Sequence, residues 1–381
     1  MRKFTADPQA LFRYRGLPPV GLTVSMALQH LVAMIVGCVT PAIIIAHAAA
    51  LTHREQVLLI QASLVLSAVT TLLQLFPIGG RFGSGLPVIF GVSFAYLPSM
   101  QAIATGRGGM AAVAGAMLVG GALALAGTTF QGVFRNPLVS SDMLGVSNGA
   151  CIGAALSILL GLGAAATQGL AFVFGIAAVL ITTAIPRFMR RESTITLVLS
   201  GIIVSGFMSS MMGLIKYLAD AETQLPDIVY WTMGTFSKVT LDDVKAIGPL
   251  ILAVAAVLLA LSWRLNLLAL GDAEARTLGV HVRRERRIAI VCATLLTASS
   301  VCLTGTIGWV GLIMPHIARR LVGSNNVRCL PVSMLVSAIF MLIIDTAART
   351  LTGGELPLSI LTGALGAPFF ALILVKQKGV E

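Results

Sequence analysis

The sequence predicts an all-α, polytopic integral membrane protein of about twelve transmembrane helices, and three observations predict it. First, 57% of the 381 residues are hydrophobic and only 11% are charged, where a soluble domain carries roughly 25% charged residues. Second, the apolar residues fall into runs near the length, about 20 residues, that a helix needs to cross a bilayer core. Third, the basic residues behind the net charge of +11 cluster in short loops: Arg187, Arg190 and Arg191; Arg283, Arg284, Arg286 and Arg287; Arg319, Arg320 and Arg328. If alternate loops are cytoplasmic, most Lys and Arg fall inside, as the positive-inside bias expects, and both termini are cytoplasmic. This balance excludes a soluble enzyme, and no basic–aromatic surface points to nucleic acid.

The spans read at 20–46, 57–76, 86–104, 111–131, 143–163, 167–186, 195–217, 246–263, 288–305, 307–321, 331–348 and 357–375. The polar, basic lead before Gly21 reads as a cytoplasmic tail, with no small-residue cleavage site. The first run contains His30, which must face protein or a water-filled cavity, because an unpaired His in lipid is costly. A Gly/Pro-rich loop from Phe76 to Pro87 precedes Val88–Tyr96, a short β-branched and aromatic piece. Such a broken or extended piece survives at membrane depth only where it is buried in protein or lines a cavity.

The stretch Gly127–Ala150 is a polar hinge between two apolar runs. Pro137 has no backbone N–H and pushes Asn136 out of the helical region, so one helix ends there. Ser140, Ser141 and Asp142 can cap the next helix, and Gly145 and Gly149 allow close helix packing. Farther on, Tyr230, Trp231, Met233 and Phe236 form a segment too short to span, with aromatics suited to the interface. Gly271-Asp-Ala-Glu-Ala-Arg276 predicts a short helix with polar ends, followed by Gly279 and the four-arginine cluster. His316 reads as a packing or backbone partner. Asp345 and Arg349, four apart, share a helix face and can pair. Glu355 reads as a helix-start acid before Pro357. The five cysteines are scattered and read as packed small hydrophobes. No GxxxxGK[ST] is present, so energy from ATP must come from a partner. No cluster of metal ligands and no catalytic pair stands out.

Two family resemblances emerge from these residues. Leu28-Gln-His-Leu-Val-Ala-Met34, Gly37-Cys-Val-Thr-Pro41, Phe76-Pro-Ile-Gly79, Arg81-Phe-Gly-Ser-Gly-Leu-Pro87 and Gly91-Val-Ser-Phe-Ala95 resemble the opening of the uracil/xanthine permeases, a family of nucleobase–cation symporters. That resemblance covers about the first 115 residues. It implies a symporter-like substrate site at His30, Phe94 and Ala95. The family's later carboxylates have no counterpart here.

From about residue 119 onward the chain resembles the permease subunits of ABC importers for iron–siderophore, haem and cobalamin, the FecCD family. The blocks are Gln131 with Arg135-Asn-Pro-Leu138, Leu144-Gly-Val-Ser-Asn-Gly-Ala150, Tyr230-Trp-Thr-Met-Gly-Thr-Phe236, Leu268–Val280, Gly305–Arg319, Ala348-Arg-Thr350 and Glu355-Leu-Pro357 with Gly366-Ala-Pro368. The resemblance implies a type II importer core carrying an iron chelate, a ferric siderophore, across the bacterial plasma membrane. It implies a homodimer or a paired permease, two cytoplasmic ATPase subunits that use the ATP, and a periplasmic or lipid-anchored substrate-binding protein. No cofactor is implied for this chain.

Residue by residue, it places Gly271, Asp272, Ala273, Glu274, Ala275, Arg276 and Gly279 in the ATPase-coupling loop and Arg349 at the binding-protein dock. Tyr230, Trp231 and Met233 border the translocation path, and Arg135-Asn-Pro-Leu138 is a family marker more than a site of action. The family's outward-facing Arg-Leu-Pro-Arg is replaced by Gly109-Met-Ala-Ala112. The chain thus reads as two joined parts, 1–118 and 119–381. The rival expectations are a proton-coupled nucleobase symporter and a non-functional fusion.

Overall fold

Apolar runs become helices throughout the described part of the chain. The computed structural model describes residues 20–75, 100, 104, 109–189, 194–351 and 355–377. Phe94, Ala95, almost all of the expected span 86–104 and the side chain of His30 lie outside them. Among the described residues there is no strand, and seven helices are long and apolar enough to cross a membrane.

The chain divides into two compact units, residues 1–105 and 106–381. The junction expected at 118/119 falls inside a continuous helix of the second unit. Among its described residues, the first unit contains a hairpin of α1 (Val20–Ala48) and α2 (His53–Leu75). Thr52 and Glu55 close the turn: the Thr52 amide and hydroxyl donate to Glu55 Oε2 at 2.9 and 2.6 Å. This satisfies a free N–H at the start of α2. Ser63 Oγ donates to the Cys38 carbonyl at 3.3 Å across the pair. Leu58, Val65, Leu66 and Leu72 are exposed along α2, as lipid-facing side chains would be.

The second unit holds α3 (Gly109–Phe134), α4 (Val146–Leu159), α5 (Ala164–Phe188), α6 (Thr194–Leu218), α7 (Gln224–Met233), α8 (Leu241–Ala260), α9 (Ser262–Leu270), α10 (Asp272–Thr277), α11 (Val282–Thr304), α12 (Val310–Val322), α13 (Asn326–Thr350) and α14 (Leu358–Gln377). At its centre stand α3 and α11, 72% and 78% buried over their apolar windows. Lipid tails give helices no hydrophobic reason to associate, so close contact and polar bonds must do the work. Small residues on α3 permit that contact. A Cβ on Gly127 would strike the Gly311 carbonyl of α12, and one on Gly120 would meet Met341 and the Ser337 carbonyl of α13. Ser337 Oγ donates to the Gly120 carbonyl at 2.6 Å, and Thr128 Oγ1 to Ser333 Oγ at 3.0 Å. Gly149 and Gly153 bring α4 against the backbone of α5 in the same way.

Several expected spans are shorter as helices. The run 143–163 becomes a 3₁₀ turn, Ser141–Leu144, and then α4 of 14 residues; α12 has 13. Neither reaches the about 20 residues of a straight crossing. The capping expected of Ser140 and Asp142 is not made: Gly145, at φ 80°, is the N-cap of α4, and no side chain caps it. Asp142 instead accepts a hydrogen bond from Ser147. The hinge after α3 is set by Arg135 at φ 51°, a left-handed residue of the kind that ends helices.

Candidate functional site

Helix α10 is six residues long, enters at Gly271 (φ 137°) and leaves at Gly279 (φ 78°). Ala275 is its only buried residue, and Asp272 is half-buried. Ala273, Glu274, Arg276, Thr277 and Leu278 are exposed, so the helix presents most of its surface outward. Two arginines fix it through one carboxylate. Asp272 Oδ1 accepts from Arg286 Nη2 at 2.6 Å, and Arg135 Nη2 stands 3.8 Å from the same oxygen. The hydrogen bond from Arg286 and the guanidinium charges of Arg286, Arg135 and Arg276 hold the Asp272 carboxyl below its ordinary range, against a smaller opposing push from burial. Arg135, read from the sequence as a marker, is therefore a brace on α10.

The same end of the bundle is stitched further. Arg264 of α9 pairs with the buried Glu285 at 2.5 Å. Asn266 donates to Asn325 Oδ1 at 2.8 Å and accepts from the Asn326 amide at 2.7 Å. His316 Nε2 lies 3.1 Å from the Pro137 carbonyl, a backbone partner as the sequence predicts, and Arg319 donates to Gln131. Cys151, Cys292, Cys302 and Cys329 are buried in the bundle.

At the far end of α11 lies a cavity of ≈ 510 Å³. Its wall includes Asp142, Ser147, Lys216, Thr232, Thr306 and Trp309. The segment after α7 is sewn to this end of α11: the Thr235 amide donates to the Thr304 carbonyl at 2.8 Å, and Thr306 Oγ1 donates to the Thr232 carbonyl. Of the expected path segment, Thr232 lines the cavity. Its neighbour Trp231 packs inward against Ala150, Ala154 and Val301. Tyr230 lies under the Lys238 ammonium, 5.3 Å from the ring centroid, and Met233 is half-buried. The cavity wall brings together Asp142, expected only as a cap, and Lys216, which the sequence reading did not single out. The signal was an acid and a base each placed at the edge of an apolar run.

Near that end, Arg349 Nε donates to Asp345 Oδ2 at 2.9 Å and Nη2 to Oδ1 at 3.3 Å. Glu355 Oε1 stands 3.7 Å from Arg349 Nη2 and accepts from Thr235 Oγ1 at 3.0 Å. The expected pairing of Asp345 with Arg349 is made. Glu355 is not a helix-start acid, because α14 begins three residues later and the carboxylate faces Arg349. The Arg349 side chain is only 9% exposed.

The model of the FecCD transport family matches residues 82–376. The chain belongs to the FecCD transport family. It is thus an ABC importer permease, a polytopic membrane protein and not itself an enzyme. The FecCD match begins within the stretch that resembles the symporters. Among FecCD relatives, the molybdate import system permease protein MolB of Haemophilus influenzae is 40% identical over 263 residues, 69% of this chain and 78% of that protein. A Helicobacter pylori protein named "Probable iron chelatin transport system permease protein" is 39% identical, covering 70% and 80%. The cobalamin import system permease BtuC of Halobacterium salinarum is 37% identical, covering 69% and 70%. A solved structure in an inward-facing conformation, assigned to the metal-chelate type of ABC transporter, superposes with a TM-score of 0.68 at 35% identity. It covers 83% of this chain and 97% of its own.

Proposed function

We propose that this chain is the membrane-spanning subunit of an ATP-driven importer for an iron chelate, a ferric siderophore, in the bacterial plasma membrane. It works as a homodimer or with a similar permease, with about twelve spans per chain and both termini cytoplasmic. Two cytoplasmic ATPase subunits dock on α10, and a binding protein docks at the opposite end, on the rim organised by Arg349.

The observation that carries this reading is the connection made by α11. Its first turns are tied to α10 through Asp272 and Arg286, and its last residue, Thr304, accepts from the Thr235 amide two positions before Thr306, which lines the cavity and bonds Thr232. Twenty-three residues of buried helix make a rod of about 34 Å between the two. A push on a short exposed helix at one end is therefore delivered to the cavity at the other. Rigid-body shifts of packed helices are a known means of switching access.

The cavity also favours a second substrate. Lys216 with the hydroxyls of Ser147, Thr232 and Thr306 offers a charge and donors suited to a small oxyanion such as molybdate. Reconstitution with the ATPase and binding protein, followed by uptake of labelled ferric siderophore, molybdate and cobalamin, separates these substrates. ATP-dependent uptake of the siderophore alone is the expected result. Xanthine uptake that persists without any ATPase would overturn the importer reading in favour of a symporter.

A further inference from the structure

A second cavity, of ≈ 440 Å³, lies between α5, the start of α6 and the first half of α11, and α10 closes one end. Its character changes along its length. The deep part is lined by Ile176, Val179, Leu180, Leu197, Val291 and Leu295. Among the described residues, the end beside α10 is lined by Arg276, Arg283, Arg286 and Arg287, against one carboxylate, that of Asp272. Leu180 is 62% and Val291 49% exposed, so the apolar part opens sideways along the helix faces, where lipid would be. Two polar atoms in the lining are buried without a hydrogen-bond partner, Arg286 Nε and Thr294 Oγ1. Thr294 is only 4% exposed. A buried donor left unsatisfied costs free energy, so such groups in a groove are met by a water, an ion or a ligand.

We propose that this groove binds one anionic phospholipid, with its phosphate among Arg283, Arg286 and Arg287 and an acyl chain between α5 and α11. Guanidinium forks match phosphate oxygens in pairs. Basic pockets at the ends of membrane helices are the places where anionic headgroups settle. Arg286 can serve two anions at once: Nη2 already holds Asp272 at 2.6 Å, and Nε remains for a phosphate oxygen. Two turns deeper, Thr294 offers a hydroxyl to the ester region. The apolar lining is what separates this occupant from a free phosphate, which would gain nothing from Leu180 or Val291. Because the lipid and α10 share Arg286, occupancy stiffens α10 on α11. That consequence rests on reading α10 as the coupling helix; the binding itself does not.

The test uses the full chain, purified in detergent, stripped of lipid and exposed to phosphatidylglycerol, phosphatidylcholine or inorganic phosphate, with bound lipid counted by native mass spectrometry. The expected result is retention of one phosphatidylglycerol per chain with at least about tenfold preference over phosphatidylcholine. Inorganic phosphate is expected to compete poorly. The double substitution Arg283→Gln with Arg287→Gln is expected to remove the preference. Val291→Trp, which fills the apolar part and leaves every charge in place, is expected to remove retention as well. Equal binding of both lipids, displacement by inorganic phosphate at lipid-like concentration, or unchanged retention in Val291→Trp would overturn the site. ATPase stimulation by phosphatidylglycerol in the assembled transporter is a separate readout. Its absence with lipid still bound would reject the coupling role and leave the site intact.

Discussion

Arg286 Nη2 lies 2.6 Å from Asp272 Oδ1, so the six-residue helix α10 is clamped to the opening turns of the most buried helix in the bundle. Arg135, from the end of α3, stands 3.8 Å from the same carboxylate oxygen. The two central helices therefore meet at one acid on the surface element. A small helix held this way moves with the bundle core.

Removing that acid tests the clamp. Asp272 is 38% exposed, and partly solvated pairs contribute little, about 0.2–1 kcal/mol. Asp272→Asn should therefore leave the melting temperature nearly unchanged. Substrate-dependent transport by the assembled complex should fall several-fold while the ATPase stays active, because motion at α10 no longer reaches α11. Transport equal to wild type would count against α10 as the coupling element.

The same group sets a pH dependence. The Asp272 carboxyl is held below its ordinary value of 3.8, first by the Arg286 hydrogen bond. A group with a depressed folded pKa contributes stability above its unfolded pKa and loses it as pH falls through the folded one. The clamp should then be fully present above about pH 4 and weaken only below it. Hydrogen exchange of the Asp272–Thr277 amides should accelerate in that acid range, beyond the intrinsic pH trend. In Asp272→Asn the added acid dependence should be absent.

Close packing at the centre makes a different kind of demand. A Cβ on Gly127 would strike the Gly311 carbonyl, and backbone cannot give way as a side-chain tip can. Gly127→Ala should destabilise by about 1–3 kcal/mol, the usual cost of overpacking. The buried cysteines of the bundle supply the readout: a thiol-reactive fluorophore should report a lower unfolding temperature. Gly213→Ala, with open space around its α6 position, is the control and should melt as wild type.

These contrasts explain what the sequence disclosed and what it withheld. The seven long apolar helices and α10 follow from local information (apolar runs, or a Gly at either end with polar residues between), whereas the runs 143–163 and 307–321 give helices of only 14 and 13 residues. The Asp345–Arg349 pair follows from their spacing of four. Arg135 with Asp272 and Glu355 with Arg349 join residues more than five apart, and Asp142 and Lys216 reach one cavity wall from different segments; no local pattern encodes these placements. Asp142 and Ser140 also showed that a good capping residue is only a candidate. Gly145 in the left-handed region turned the chain so that the serine and aspartate no longer faced the free amides of α4.

Asp345 is fully buried and Arg349 nearly so, and this pair separates structure from docking. Taking one partner from a buried ion pair strands the other and costs about 3–5 kcal/mol. Arg349→Leu alone should lower the melting temperature strongly. Replacing both, as Asp345→Leu with Arg349→Leu, should recover much of that loss, since a well-packed apolar pair is often neutral, the remainder being Glu355, left with Thr235 in place of Arg349. The recovered double variant then reads the docking role without the stability artefact. If Arg349 shapes the rim for a binding protein, affinity for that protein should stay reduced when stability returns. Full recovery of affinity would assign the pair to folding alone.

Lys216 decides what the cavity accepts. It sits in the wall with Asp142, Ser147, Thr232 and Thr306, a single cation beside hydroxyl donors at the end of an apolar helix. Hydrogen bonds to a charged group contribute about 1.5–3 kcal/mol, which corresponds to roughly ten- to hundredfold in affinity. Lys216→Met, similar in reach and half-buried like the lysine, should reduce uptake of an anionic metal compound within that range without moving the melting temperature. Lys216→Arg should retain most of it. Because the cation acts on substrate in the cavity, the loss should appear in transport per ATP hydrolysed and leave binding-protein affinity intact. A neutral substrate should pass Lys216→Met at the wild-type rate, so running both substrates through the same variant distinguishes charge recognition from general damage to the path.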